Sequence, residues 1–199
     1  METENVVLMR QARETLNGKW GLAIGTFVVY FILMVGIQMI PIAGIIISLL
    51  IGGPMSVGIA IFSLSLSRNQ DAKLNQIFDG FKKFDVSLGA YLLIILFTIL
   101  WSLLLIVPGI IAAISYSMTF YIIADDDSIG VMEAIDKSKK MMNGHKLKYF
   151  YMGLRFFGLS LLCILTLGIG FLWLFPYMQV SLAKFYDDIN GSQITFDAV

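Results

Sequence analysis

Long apolar runs alternate with short charged segments along the chain, and the lengths of the runs decide what they form. Residues 86–124 hold no charge at all. As one helix they would extend roughly 58 Å at about 1.5 Å per residue, against a hydrocarbon core of roughly 30 Å. Pro108-Gly109 sits near the middle. Proline removes a backbone donor and glycine accepts turn dihedrals, so the run predicts two membrane spans joined by a tight hairpin. The same unit is predicted on either side. One pair of spans covers residues 20–40 and 42–66, broken at Pro41, and another covers 147–167 and 169–186, turning at Gly168-Ile169-Gly170.

Each charged segment has a helical period of its own. Over residues 3–17, Leu8, Met9, Ala12 and Leu16 share one face while Glu4, Arg10, Arg13 and Glu14 take the other, the pattern of a helix lying in the membrane interface. Residues 69–85 offer Leu74, Ile77, Phe78 and Phe81 as a short apolar face, and residues 125–142 form a third such stretch. Asn17-Gly18, Asp79-Gly80 and Asn143-Gly144 follow or interrupt these stretches, each before a basic-aromatic entry to a pair of spans. Asparagine and glycine tolerate the left-handed backbone that closes a helix, so the three read as stops in a triplicated unit. The predicted fold is an all-α membrane protein with six transmembrane helices, arranged as three repeated units of interfacial amphipathic helix plus transmembrane hairpin. The units cover about 3–68, 69–124 and 125–190 of a single membrane domain, with a short tail at 191–199. All three have the same orientation, so they would be parallel rather than inverted repeats.

Composition agrees with a bilayer setting: 58% of the residues are hydrophobic and only 14% charged, outside the range of soluble domains. Every Lys, Arg, Asp and Glu falls in the N-terminus, the two long connections, the C-terminus or the span ends facing them, and the hairpin turns have none. The positive-inside rule then places both termini and both connections in the cytoplasm, with the cell membrane as the expected location. Net charge is zero and no basic tract stands apart from the spans, which excludes a nucleic-acid partner on electrostatic grounds. The single cysteine, Cys163, permits no intramolecular disulfide and reads as a small packing residue. Residues 1–19 mix acids and bases over an amphipathic pattern and do not read as a secretory signal.

Candidate chemistry is sparse. Asp125-Asp126-Asp127 could supply hard oxygen ligands to a cation, but the acids precede a helix ending in Lys137, Lys139 and Lys140, and Asp127 or Ser128 as its N-cap is the favoured reading. His145, the only histidine, has no second ligand or triad partner at suitable spacing. Ser115, Tyr116, Ser117, Thr119, Tyr121, Tyr177 and Gln179 would line a polar path or bond between helices, the latter being favoured. Gly21 with Gly25, and Gly52 with Ser56 and Ala60, are stripes of small residues suited to close helix packing. With no catalytic or dinucleotide signature, no enzyme activity, metal or cofactor is expected. Arg155 and Lys184 are the charges nearest the outer end of any hairpin, about 14 and 15 residues from its turn. Antiparallel packing would bring them to one depth, roughly 21 Å from that turn, as a candidate cradle for an anionic lipid headgroup.

The strings Ile106-Val-Pro-Gly-Ile-Ile, Ser115-Tyr-Ser-Met, Met141-Met-Asn-Gly-His-Lys and Leu165-Thr-Leu-Gly-Ile-Gly-Phe-Leu-Trp-Leu-Phe-Pro-Tyr-Met-Gln resemble the bacterial integral membrane family known as domain of unknown function 975. That resemblance implies six cytoplasmic-membrane spans and carries no functional site. A fainter similarity is to the membrane region of some glycerophosphodiester phosphodiesterases, which implies lipid handling. The expected function is non-catalytic binding or movement of a lipid-like or amphipathic molecule, with membrane lipids, anionic ones included, as partners. The alternative is an interaction or assembly subunit packed on a protein partner or on a second copy of itself.

Overall fold

The computed structural model describes residues 3–197, with side chains through residue 191. Among these, the helices are α1 Asn5–Leu16, α2 Trp20–Gln38, α3 Ala43–Ser67, a 3-10 helix Leu74–Lys83, α4 Phe84–Leu104, α5 Ile106–Tyr116, α6 Thr119–Asp125, α7 Val131–Met141, α8 Lys146–Leu165 and α9 Phe171–Asp197. Five stretches are long and apolar enough to cross a membrane: α2, α3, the 3-10 helix with α4 as Leu74–Leu104, α5 with α6 as Ile106–Asp125, and α8. These are the helices of a multi-pass membrane protein. The helix α9 is not among the five; its apolar start gives way to Lys184, Asp187 and Asp188.

Hairpin turns fall close to their expected places, with one exception. Residues 86–124 break at Leu105, which is extended at φ −161° and ψ 149°, and not at Pro108-Gly109. Pro108 instead occupies the first turn of α5, where its missing N–H would have had no intrahelical partner anyway. Gly109 lets the hairpin close, since a Cβ there would stand 2.2 Å from the Ser102 Oγ.

Two of the three expected glycine stops have the left-handed backbone that closes a helix, Gly18 at φ +77° and Gly144 at φ +85°. Gly80 does not. It lies inside the 3-10 helix, where a Cβ would come within 1.9 Å of the Pro54 carbonyl, so glycine serves backbone contact with α3 and not chain reversal. The stripes of small residues divide similarly. Gly52 packs under the Tyr91 ring, whereas nothing lies within 4 Å of a Cβ at Gly21 or Gly25. The α7 helix begins at Val131 after Gly130, so neither Asp127 nor Ser128 is its N-cap.

At the centre of the bundle stand α3 and the α5–α6 span, 44% and 50% buried over their apolar windows, while α4 and α8 are peripheral at 11% each. The four apolar positions of α1, Leu8, Met9, Ala12 and Leu16, are all buried, and α1 packs against α9 and α3. Its apolar face therefore meets protein. The N-terminal end is tied to α9 and α8: the Thr3 hydroxyl donates to Asp188 at 2.5 Å, and the Asn5 amide donates to the Lys148 carbonyl at 2.7 Å.

Candidate functional site

A groove of about 500 Å³ opens on the side of the bundle, bordered by α1, the start of α2, α8 and α9. Its α8 wall is Leu159, Leu162, Cys163 and Thr166, and its α9 wall is Gly170, Trp173, Leu174 and Tyr177. Spacings of three and four put each set on one helical flank. Trp20 and Arg13 close the remaining end. Arg13 is the only charged residue among these, and no acid is present. The groove remains open because α8 is held loosely: Met152 and Phe156 are its buried residues, while Leu154, Phe157, Leu161 and Leu162 are exposed.

Three contacts set the register of α8 against α9: Lys148 to Asp188 at 2.7 Å, Tyr149 to Phe185 with ring centroids 5.7 Å apart, and Phe156 to Tyr177 at 5.6 Å. They put Arg155 opposite the neighbourhood of Met178. Lys184 is six residues further along α9, roughly 9 Å at about 1.5 Å per residue. Their side chains also go different ways. The Lys184 ammonium donates to the Ser67 carbonyl at the end of α3. Arg155 is exposed and makes no hydrogen bond or ion pair among the described residues. Equal distance from Ile169 did not become equal depth, because α8 ends at Leu165 and α9 begins at Phe171, which centres the turn on Gly168, and the contacts farther along set the register.

Arg155 does not line the groove but stands beside its α8 wall. It lies four residues before Leu159 and seven before Leu162, on the flank of α8 that forms the groove wall. It is also nine residues from Lys146 and ten from Leu165, at the midpoint of a helix long enough to span a bilayer. An ionised side chain at a span centre costs about 2.5–3.5 kcal/mol on insertion scales. Sequence reasoning singled out Arg155 but missed Arg13 and Trp20. Only the three-dimensional path of α1 along α9 brings these two to the groove.

The acids expected near one another have separate roles. Asp125 pairs with Arg68 at 2.5 Å, Asp126 accepts from the Ser128 N–H and hydroxyl, and Asp127 pairs with Lys83 at 2.6 Å. Arg68 also reaches Asp187 at 2.8 Å, and Asp187 accepts from the Ser67 hydroxyl at 3.0 Å. One guanidinium thus ties the ends of α3, α6 and α9 together, with the Tyr186 hydroxyl donating to Asp125 at 3.2 Å. Hydrogen bonding to Asp125 raises the pKa of Arg68 above its ordinary value, against the opposing pull of burial. The cluster is a structural clamp.

Residues 103–193 match the family model described as a protein of unknown function, DUF975. No curated protein and no solved structure matches the chain. The DUF975 segment runs from the end of α4 into α9 and contains Arg155, Lys184 and both long walls of the groove. It leaves out α1 to α3, and with them Arg13, Trp20 and Arg68.

The polar side chains within the DUF975 segment are mostly satisfied by their own bundle. Ser115 and Ser117 donate to carbonyls of their own helix, Ser138 donates across to the Ser115 carbonyl at 2.8 Å, and Tyr121 donates to the Gln179 side chain at 2.9 Å. The last two are the interhelical bonds expected of polar residues in spans. A second cavity of about 230 Å³ adjoins them, lined by Tyr30, Ser56, Ser117, Tyr121 and Gln179 among others.

Proposed function

We propose that this is a non-catalytic cell-membrane protein whose lateral groove takes up a lipid-like molecule, with α9 serving as a sixth span and both termini in the cytoplasm. The observation that supports this most is the groove itself: an apolar trough of about 500 Å³, open sideways on a loosely held helix, where acyl chains of the bilayer are the adjacent material. Two further features agree. The hairpin turns have no charged residue, so there is no folded outer surface for an external ligand. At the other end, Arg68 with Asp125 and Asp187, and Lys148 with Asp188, form ion pairs that hold helices together.

Native mass spectrometry of the full chain in gentle detergent tests the reading. Retained lipid that is lost in Leu162→Trp, a substitution that fills the groove from an exposed wall position, supports it. Equal lipid retention by the variant, or a stoichiometric protein partner in place of lipid, would count against it.

A further inference from the structure

We propose that the ligand is a glycerophospholipid whose phosphate is held between Arg13 and Arg155, with an acyl chain lying along Leu159, Leu162, Leu174 and Trp173. This rests on the groove reading above and adds the chemistry of the bound molecule. One cation, Arg13, lines the apolar trough, and a second, Arg155, lies one helical turn before its α8 wall; neither makes an ion pair or hydrogen bond among the described residues. Three other cations at these helices have protein partners, Lys184 the Ser67 carbonyl, Lys148 the Asp188 carboxylate, and Arg68 both Asp125 and Asp187, while Lys146 stands at the α8 end, where water can solvate it. Arg13 and Arg155 are the unpaired cations placed at or beside the apolar trough, where an external anion would be their counter-charge.

Position sharpens the argument. Arg155 stands at the centre of an apolar helix, where hydrocarbon offers no counter-charge. A guanidinium presents a planar fork of donors that matches phosphate oxygens in a bidentate way. Tyr177, close enough to Arg13 to feel its charge, and Trp20 also line the groove, and their rings combine an apolar body with a polar tip that suits the boundary between glycerol and acyl chain. From Tyr177 to Gly170 the α9 wall runs seven residues, roughly 10 Å, toward the α8–α9 turn with no further charge. The trough is thus positive at one end and apolar along its length, the polarity of a phospholipid with its chain directed at the outer turn. The phosphate would lie near the middle of α8.

The test uses the full chain in detergent micelles doped with phosphatidylglycerol or with diacylglycerol of the same acyl chains. Native mass spectrometry reads retained lipid. Alkylation of Cys163, the only cysteine and part of the groove wall, reads occupancy. Phosphatidylglycerol should be retained over diacylglycerol and slow Cys163 alkylation by roughly tenfold, the equivalent of about one strong charged contact. Inorganic phosphate alone should leave the rate unchanged. The R13Q/R155Q variant should bind both lipids alike, R13K/R155K should fall between it and the parent, and R10Q, on α1 but outside the groove, should behave as the parent. If R13Q/R155Q still prefers phosphatidylglycerol, the phosphate site is refuted while the groove reading stands. If neither lipid protects Cys163 in the parent protein, the groove reading falls as well. Should R13Q/R155Q fail to fold, equal affinity of the folded R13K/R155K and parent proteins for both lipids would overturn the proposal.

Discussion

Replacing Gly58 by alanine should be among the most damaging single-methyl additions in this chain. A Cβ at that position would stand 1.9 Å from the Ile77 carbonyl oxygen, 2.4 Å from its carbon and 2.9 Å from its Cα. All three are backbone atoms of the 3-10 helix, so no rotamer change relieves the clash. To restore ordinary contact at 3.4 Å the 3-10 helix must retreat by about 1.5 Å, and Ile77, now fully buried, must move with it. Overpacking of this kind costs about 3 kcal/mol, well above the gain of under about 1 kcal/mol that alanine brings to a helix over glycine. The contact is reciprocal, because a Cβ at Gly80 would stand 1.9 Å from the Pro54 carbonyl and 2.9 Å from the Gly58 nitrogen. Once the 3-10 helix has withdrawn for one methyl, it has largely withdrawn for the other. The double variant should therefore cost little more than the worse single one, a coupling of about 2 kcal/mol. Unfolding of the full chain in detergent, by heat or by graded SDS, measures all three. Gly25→Ala is the control, since nothing lies within 4 Å of its added carbon. Parent-like stability in Gly58→Ala, or strictly additive losses in the pair, would refute the close-contact argument.

Three further outcomes are expected. Arg68→Ala leaves Asp125 and Asp187 without their shared cation and should cost about 2 kcal/mol, with the double substitution Asp125→Asn and Asp187→Asn in the same background recovering part of it; detergent unfolding checks both. Burial pushes the Asp188 carboxyl up, but hydrogen bonds from Lys148 and Thr3 outweigh it and hold the pKa below the ordinary value. A depressed folded pKa means the stabilisation is present above the unfolded value of about 3.9 and is lost as pH falls through the folded one. The protection of the α1 amides, taken relative to their intrinsic exchange rates, should accordingly be flat at neutral pH and fall only below about pH 4, and Asp188→Asn should remove that dependence. In a Cys163→Ser background, single cysteines at Ile42 and Leu167 should react with an impermeant thiol reagent from outside intact cells, and cysteines at Lys73 and Lys139 should not; labelling of the latter pair would refute the six-span topology.

Periodicity made most of the elements legible, because a span must be about twenty apolar residues long and an amphipathic helix must repeat every three or four. Leu8, Met9, Ala12 and Leu16 were assigned to one face by spacing alone, and each is buried. What spacing could not decide was the partner of that face, since a helix lying on a bilayer and a helix lying on α9 require the same pattern. Glycine was ambiguous for a related reason. It permits a left-handed turn and it permits close approach, and the residue type does not say which; Gly18 and Gly144 do the first, Gly80 the second. Pro108 shows the same ambiguity for proline, which stops a helix from its interior but fits its first turn.

The groove was legible only on one wall. Residues 159, 162, 163 and 166 of α8, with Arg155 one turn before them, form a flank that helical spacing reveals directly. Pairing Arg155 with Lys184 relied on counting from the turn, which assumes that both helices leave it at the same height. Three observed contacts, at Lys148, Tyr149 and Phe156, contradict that assumption and put Arg155 across from the segment near Tyr177. Tyr177 is itself a groove residue, and Arg13 is another, reached from a helix more than one hundred and forty positions earlier in the chain. A long-range juxtaposition of that kind leaves no local pattern, because nothing in the period of α1 depends on which flank of α9 it meets. The charge balance does leave a trace. Lys148 and Lys184 sit beside an acid and a helix-end carbonyl, whereas Arg13 lines an acid-free trough and Arg155 lies one turn from its wall, both without a protein partner among the described residues. On the proposed reading, an anion supplied by the bilayer would complete that balance, and the phosphate of a phospholipid is an anion that would also bring an apolar chain to the apolar remainder of the groove.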